Sequence, residues 1–244
     1  MNIIILTRLS NNMRMSELVP VVFAFMLKKK YGANITVVTM SVKCSQETLD
    51  ELKDNGVDKV VFISDSAFRG SDTYATATVL SKAIKKLDID YDLILCSDMS
   101  SFGETGFVPV MTAELLGIDY ELSVDNIEYF CENKTIHTEV KIRSGRIIKR
   151  LSMPCLLAID AFKSERFFQE NEPNLFDIMK LRGDITVSLM DAEYLGIAPE
   201  KCGIEGSATK VILSSDLKSV MQDNDKEVIT DANIAAELLD VCMR

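Results

Sequence analysis

The chain is short of the side chains that most often do chemistry. It has one histidine (His137), no tryptophan and five prolines. Its six cysteines (Cys44, Cys96, Cys131, Cys155, Cys202 and Cys242) are scattered, with no C-x-x-C pair. One imidazole and isolated thiols argue against a zinc site or an iron–sulfur cluster. The cysteines instead read as reduced, mostly buried thiols of a cytosolic protein. Positive charge is scarce as well: 27 Lys and Arg stand against 37 Asp and Glu, for a net charge of −10. With no basic stripe interleaved with aromatics, a nucleic-acid partner is not expected, because phosphate backbones demand clustered cations.

Long apolar runs are missing too. A membrane-spanning helix takes roughly 18 or more apolar residues. The best candidate, Leu18 to Leu27, holds Pro20 and runs into Lys28-Lys29-Lys30. It reads as a buried helix, and no membrane insertion is expected. Met1 leads straight into Ile3-Ile4-Ile5-Leu6 with no charged-then-apolar leader, so the expected location is the cytoplasm. Walker A, G-x-G-x-x-G and nucleophile-elbow patterns are absent, which argues against triphosphate hydrolysis, simple dinucleotide binding and acyl transfer. His137 shares its strand face with Glu139, Lys141 and Arg143, the mark of a solvated sheet face rather than a catalytic base.

What is present is strand–helix alternation. With 47% hydrophobic residues over 244 positions, the chain can bury one sizeable core. Ile3–Leu6, Ile35–Thr39, Val60–Ile63 and Leu93–Cys96 are short continuous apolar runs, as a parallel sheet covered on both faces requires. Helices are expected between them. One spans about 16–30. A second starts after Ser45, a good N-cap, and ends at Asn55-Gly56. A third covers Thr73–Lys86 after Asp72, and a fourth runs from about Thr105 to a stop at Gly117. From about Leu122 the period becomes two, predicting antiparallel strands over 122–131, 135–143 and 146–152, then an apolar strand at Cys155–Ile159. Residues 161–244 break into short pieces that bury little of themselves, including a strand near Ile185–Leu189 and a last helix near 231–241. The expected organisation is an α/β unit over 1–160 and an arm over 161–244 that wraps another protein.

Ligands of doubly wound sheets bind beyond the carboxyl ends of the strands. Two loops of unusual composition fall there. Gly70-Ser71-Asp72-Thr73 joins a strand to a helix N-terminus, where amide N–H groups and hydroxyls suit a phosphate; the other reading is a well-capped helix with no ligand. Ser100-Ser101-Phe102-Gly103-Glu104-Thr105-Gly106 is the second, with two glycines that allow close backbone approach; it could equally be a plain connecting loop.

These loops carry a family resemblance. Phe68-Arg69-Gly70-Ser71-Asp72-Thr73-Tyr74-Ala75-Thr76 resembles the F-x-G-[AS]-D-T-x-A-T stretch of electron-transfer flavoprotein β subunits, the electron-bifurcating ones in particular. Gly103-Glu104-Thr105-Gly106-Phe107-Val108 is similar to that family's G-D-T-x-Q-V. Ile178-Met179-Lys180 resembles its G-I-M-K-A, and Gly206-Ser207-Ala208-Thr209-Lys210-Val211 its G-S-P-T-x-V. The matches keep their order along most of the chain. The chain also departs from the pattern. The family's N-P-[FWY]-D segment after the first strand is missing, with only Ser10 to Met15 in its place. Its Gln is Phe107, its G-P is Ser41-Val42, and its Arg-Glu pair corresponds to Val140-Lys141.

The resemblance implies a Rossmann-like, doubly wound, mostly parallel α/β sheet of the adenine-nucleotide α-hydrolase-like kind, with an antiparallel meander and an extended C-terminal arm. It implies an electron-transfer subunit rather than a self-sufficient enzyme, binding FAD or, as the alternative, AMP. Leu6, Thr7 and Met40 would border the nucleotide; Asp72, Thr73 and Thr76 would lie near its phosphates; Gly103, Glu104, Thr105, Gly106, Phe107 and Val108 would wrap it. Arg166 and Phe167 would begin the loop that recognises a flavin dehydrogenase such as an acyl-CoA dehydrogenase. The implied partners are a flavin-bearing α subunit and, for bifurcating chemistry, NADH and ferredoxin. Two readings stay open beside it: a structural β subunit without a redox cofactor, and a stand-alone nucleotide-binding sensor.

Overall fold

A computed structural model describes residues 1–11, 13–98, 105–130, 133–160, 171 and 173–209. The alternating half builds β1 (Asn2–Leu6), α1 (Met15–Tyr31), β2 (Asn34–Thr39), α2 (Gln46–Asp54), β3 (Lys59–Ile63), α3 (Thr73–Lys86), β4 (Leu93–Ser97) and α4 (Phe107–Leu116). Then come β5 (Asp119–Val124), β6 (Asn126–Phe130), β7 (Thr135–Ile142), β8 (Gly145–Ser152) and β9 (Cys155–Ile159). The remaining described elements are α5 (Leu175–Leu181), β10 (Thr186–Met190), α6 (Ala192–Leu195) and α7 (Gly203–Gly206).

Seven strands form one sheet in the order β10-β3-β2-β1-β4-β9-β5, parallel throughout, and β6-β7-β8 form a small antiparallel sheet. The α/β class with a mostly parallel sheet and an antiparallel meander is therefore the observed one. Ile4, Ile5, Val37, Val60, Ile94 and Leu157 are fully buried, as strands covered on both faces must be. One face packs under α1 and α2 through Val19, Phe23, Leu27 and Leu52. The other packs under α3 and α4 through Val79, Leu80, Ala83, Ile84 and Ala113. Each large side chain so buried contributes about 1.5–3 kcal/mol of apolar transfer free energy.

Local signals set the helix ends. Ser45 caps α2 by accepting the Thr48 N–H, and Asp72 caps α3 by accepting that of Ala75. Gly32 and Gly117 close α1 and α4 in the left-handed conformation. The fourth helix begins two residues later than the expected Thr105, because Gly106 at φ 65° is its N-cap.

The strand expected over 122–131 is two strands. Residues 119–124 pair parallel with β9 in the large sheet, while 126–130 join the meander. The break is at Asp125, whose buried carboxylate accepts the Lys141 N–H, just after Ser123 at φ 51°. The 185–189 piece of the expected arm is β10, which pairs parallel with β3 at the sheet edge. The helix expected near 231–241 lies outside the described residues.

Candidate functional site

β1, β2 and β3 step outward in one direction, and β4 then returns to the other side of β1. The carboxyl ends of β1 and β4 are thus the topological switch point, where α/β sheets open a crevice. Leu6 is in register with Val38 on β2 and Cys96 on β4. The Thr7 N–H reaches the Val38 carbonyl at 3.4 Å, and Met40 follows directly after β2. Leu6, Thr7 and Met40 therefore share this rim. Ser97, at the end of β4, has a buried hydroxyl oxygen with no hydrogen-bond partner among the described residues.

The short connection between β1 and α1 is fastened down over the same rim. The Leu9 N–H donates to the Thr39 hydroxyl at 3.1 Å, Ser41 donates to the Leu9 carbonyl at 3.0 Å, and Thr48 donates to the Ser10 carbonyl at 3.0 Å. Glu17, 4% exposed, accepts from the Ser10 hydroxyl and from the Arg14 N–H.

The two loops singled out by composition meet. The Thr73 and Thr105 hydroxyl oxygens are 3.3 Å apart, one at the first position of α3 and the other just before α4. The Thr73 and Tyr74 N–H groups, the first of α3, donate to nothing among the described residues. Thr76 sits on the following turn, its N–H on the Asp72 carbonyl at 2.9 Å. Gly106 allows the close approach at the start of α4, since a Cβ there would lie 3.3 Å from the Asp98 carbonyl oxygen. Phe107 follows with a 58% exposed ring, and Val108 is half-buried. Gly103, Glu104, Arg166 and Phe167 lie outside the described residues.

Asp72 keeps its negative charge, but both of its oxygens are engaged by donors of the chain itself. One oxygen accepts the Ala75 N–H at 2.9 Å; the other accepts both the Thr209 N–H at 2.9 Å and the Thr209 hydroxyl at 3.1 Å. Burial pushes its pKa up, but these hydrogen bonds outweigh it and hold the carboxyl below the usual range. Arg8 and Arg69 are exposed cations in the same strand-end region. Unused helix N–H groups, paired hydroxyls and an orphaned serine hydroxyl, beside an aspartate whose two oxygens are already taken by protein donors, together fit the anionic end of a nucleotide.

A second tie, not legible in the sequence, joins this loop to residues 192–207. Asp65, just before the 66–73 loop, accepts the Ala67 N–H at 2.8 Å with one oxygen and the Ala192 N–H at 3.1 Å with the other. Those two bonds, Ala67 first, hold its pKa below the usual carboxylate range. The Ser71 hydroxyl donates to the Phe68 carbonyl and accepts the Gly203 N–H, while the Ser207 hydroxyl accepts the Asp72 N–H at 2.8 Å and donates to the Gly203 carbonyl at 2.6 Å. The signals in the sequence were the glycines at 203 and 206 and the resemblance of 206–211 to the family's G-S-P-T-x-V, and neither points to residues 65–73.

No cluster of His, Cys, Asp and Glu suited to a metal occurs among the described residues. No described helix is long and apolar enough to cross a membrane. Burial pushes the Cys155 thiol up to about 12, with the Asp119 charge adding to it, and pushes Cys96 up as well.

Residues 3–167 match the family model described as the electron transfer flavoprotein domain. An electron transfer flavoprotein subunit beta from Thermoanaerobacterium thermosaccharolyticum is 31% identical over 193 residues, covering 79% of this chain and 71% of that protein. The chain belongs to the electron-transfer flavoprotein β-subunit family. The caffeyl-CoA reductase–Etf complex subunit CarD of Acetobacterium woodii is 27% identical over 185 residues, 75% of this chain and 67% of that one. A FixA protein of Bradyrhizobium diazoefficiens is 31% identical over 193 residues, covering 76% and 64%. The electron-transfer flavoprotein match spans β1 to β9, so it takes in the switch point and both threonine-bearing loops.

Proposed function

We propose that this chain is a cytoplasmic electron-transfer subunit that binds FAD at the carboxyl ends of β1 and β4 and works as a heterodimer with an α subunit of the same family. The observation that carries this is the 3.3 Å meeting of Thr73 and Thr105 at two helix starts beside the switch point. Thr73, Thr76 and Thr105 hold the phosphates with the free N–H groups of α3. Leu6, Thr7 and Met40 border the nucleotide, and Gly103, Glu104, Gly106, Phe107 and Val108 enclose it, with the exposed Phe107 ring free to stack on a flat heterocycle. The flavin, when bound, supplies the redox chemistry; the chain orients it and sets its surroundings.

Within 161–244, the parts other than β10 and the 203–209 segment serve partners in this reading, with Arg166 and Phe167 beginning the surface that meets a flavin dehydrogenase such as an acyl-CoA dehydrogenase. Support comes from α5, whose Leu175, Phe176 and Met179 are each more than 70% exposed. Soluble monomers seldom leave such side chains grouped without a use. The resemblance of 68–76 to bifurcating members extends the proposal to NADH and ferredoxin as redox partners.

The test is the visible spectrum of the full-length chain purified with a co-expressed α subunit, together with chromatography of its heat-released nucleotides. A yellow complex that releases two FAD per heterodimer supports the reading. One FAD and one AMP would change the cofactor assigned to this subunit and leave its family untouched. A complex with no nucleotide in this subunit would leave it a structural one.

A further inference from the structure

The 203–209 segment does nothing in the nucleotide reading so far, yet its hydrogen bonds end on the phosphate loop. Thr209 holds one Asp72 oxygen, Ser207 takes the Asp72 N–H, Gly203 donates to Ser71, and the Ile204 N–H reaches the Arg69 carbonyl at 3.2 Å. Packing follows the same line. A Cβ on Gly70 would lie 2.4 Å from Ile204 Cγ1, and one on Gly203 would lie 2.1 Å from the Ala67 carbonyl oxygen. Both glycines have positive φ, 72° and 60°. At Gly203 the close neighbour is backbone and at Gly70 it is the movable Ile204 side chain, and the positive φ of both disfavours a side chain, so the two segments are fitted to one another.

Asp72 divides its carboxylate between two jobs. One oxygen caps α3 and so fixes the helix start at Thr73. The other is held by Thr209. Releasing Thr209 would leave that oxygen without either of its Thr209 donors, beside the unused N–H groups at the start of α3. Releasing Ser207 would free the Asp72 N–H and loosen the loop on the strand side of the cap.

We propose that residues 203–209 form a latch on the nucleotide loop, with Ser207 and Thr209 as positioning residues that act through Asp72 to set affinity for an adenine nucleotide. The proposal rests on the nucleotide reading above. A closed latch holds the Asp72 charge away from the phosphate and keeps the Thr73 hydroxyl and N–H aimed at it. Linkage runs both ways: a nucleotide that prefers the closed latch must also hold the latch closed.

The experiment measures dissociation constants of AMP and of FAD for the full-length chain by equilibrium dialysis, comparing wild type with Thr209→Val, Thr209→Ser, Ser207→Ala and Thr73→Val. Thr209→Val and Ser207→Ala should weaken binding about three- to tenfold, the effect of a lost hydrogen bond. Thr209→Ser, which keeps the hydroxyl, should restore wild-type affinity. Saturating AMP should also slow hydrogen exchange over 203–209 in the wild type. Unchanged affinity in Thr209→Val and Ser207→Ala, with Thr73→Val still weakened, overturns the latch and leaves the nucleotide reading standing. A Thr209→Val defect that Thr209→Ser does not restore overturns it too. A wild-type chain that binds neither AMP nor FAD overturns the latch and the nucleotide reading together.

Discussion

Asp72 and Thr209 stand 137 positions apart in the chain, and two hydrogen bonds of 2.9 and 3.1 Å run from Thr209 to one Asp72 oxygen. The other oxygen caps α3. Asp72→Ala removes the cap and both long-range bonds, and should cost about 1–2 kcal/mol from the cap alone, with more from Thr209. Chemical denaturation of the two proteins measures the difference. The difference should also depend on pH. The folded-state pKa of Asp72 is depressed, so its contribution is full above the unfolded aspartate value of about 3.9 and is lost as pH falls through the folded pKa. The stability gap between wild type and Asp72→Ala should therefore be constant near neutrality and narrow in acid below that value.

The hydroxyls of Thr73 and Thr105 should be separable from the fold. Thr73→Val and Thr105→Val keep shape and lose a donor, so bound nucleotide should weaken by about 1–2 kcal/mol in each. Nucleotide content and melting temperature, read on the same samples, give the answer. Equal content in all three proteins would move the phosphate site elsewhere.

Gly203 is the tightest contact of its loop. Gly203→Ala places a methyl against the Ala67 carbonyl at a backbone φ of 60°, and should destabilise by more than about 1 kcal/mol. Gly70→Ala meets only the Ile204 side chain, which can move, so pairing it with Ile204→Ala should recover part of the loss. Additive losses in that double variant would mean that backbone strain, not the contact, sets the cost at Gly70.

Thiol labelling should follow burial. At pH 8 in the folded protein, Cys155 and Cys96 are protonated and enclosed, so iodoacetamide should leave both unmodified until denaturant is added. Cys44, only half-buried, should label before either. Mass mapping of the digest gives the order, and early labelling of Cys155 would show that the β9 region opens.

The partner surface should tolerate change where the core does not. Phe176→Ser on α5 removes a ring that is 73% exposed, and should leave the melting temperature nearly unmoved while weakening capture of a flavin dehydrogenase. Unaltered capture would relieve α5 of that role.

Much of the fold could be read from local chemistry. Ser45, Asp72 and Gly117 mark helix ends because caps are decided within four residues, and Cys155–Ile159 is apolar at every position because both its faces are covered. The 122–131 region could not be divided from sequence. Alternation shows that a strand exists and not which sheet receives it, and the division depends on Asp125 reaching Lys141 across the meander. That the loops of Thr73 and Thr105 share the carboxyl edge of the sheet could be anticipated, but not their meeting, because the strands before them, β3 and β4, are separated by β2 and β1. The hold of Ser207 and Thr209 on Asp72 could not, because no periodicity connects residues so distant.

The position of β10 bears on synthesis. The β3 edge, with Val60 and Val61 wholly buried in the finished sheet, has β10 as its outer neighbour, and β10 ends at Met190. A ribosome making this chain from its N-terminus completes β1 to β9 before that neighbour exists. Throughout that interval the nascent sheet presents an unpaired, β-branched border, the kind of surface on which strands of other chains add. Slow translation across 160–190 would prolong that exposure, and stalled or truncated products ending before Met190 should be the aggregating species in the cell.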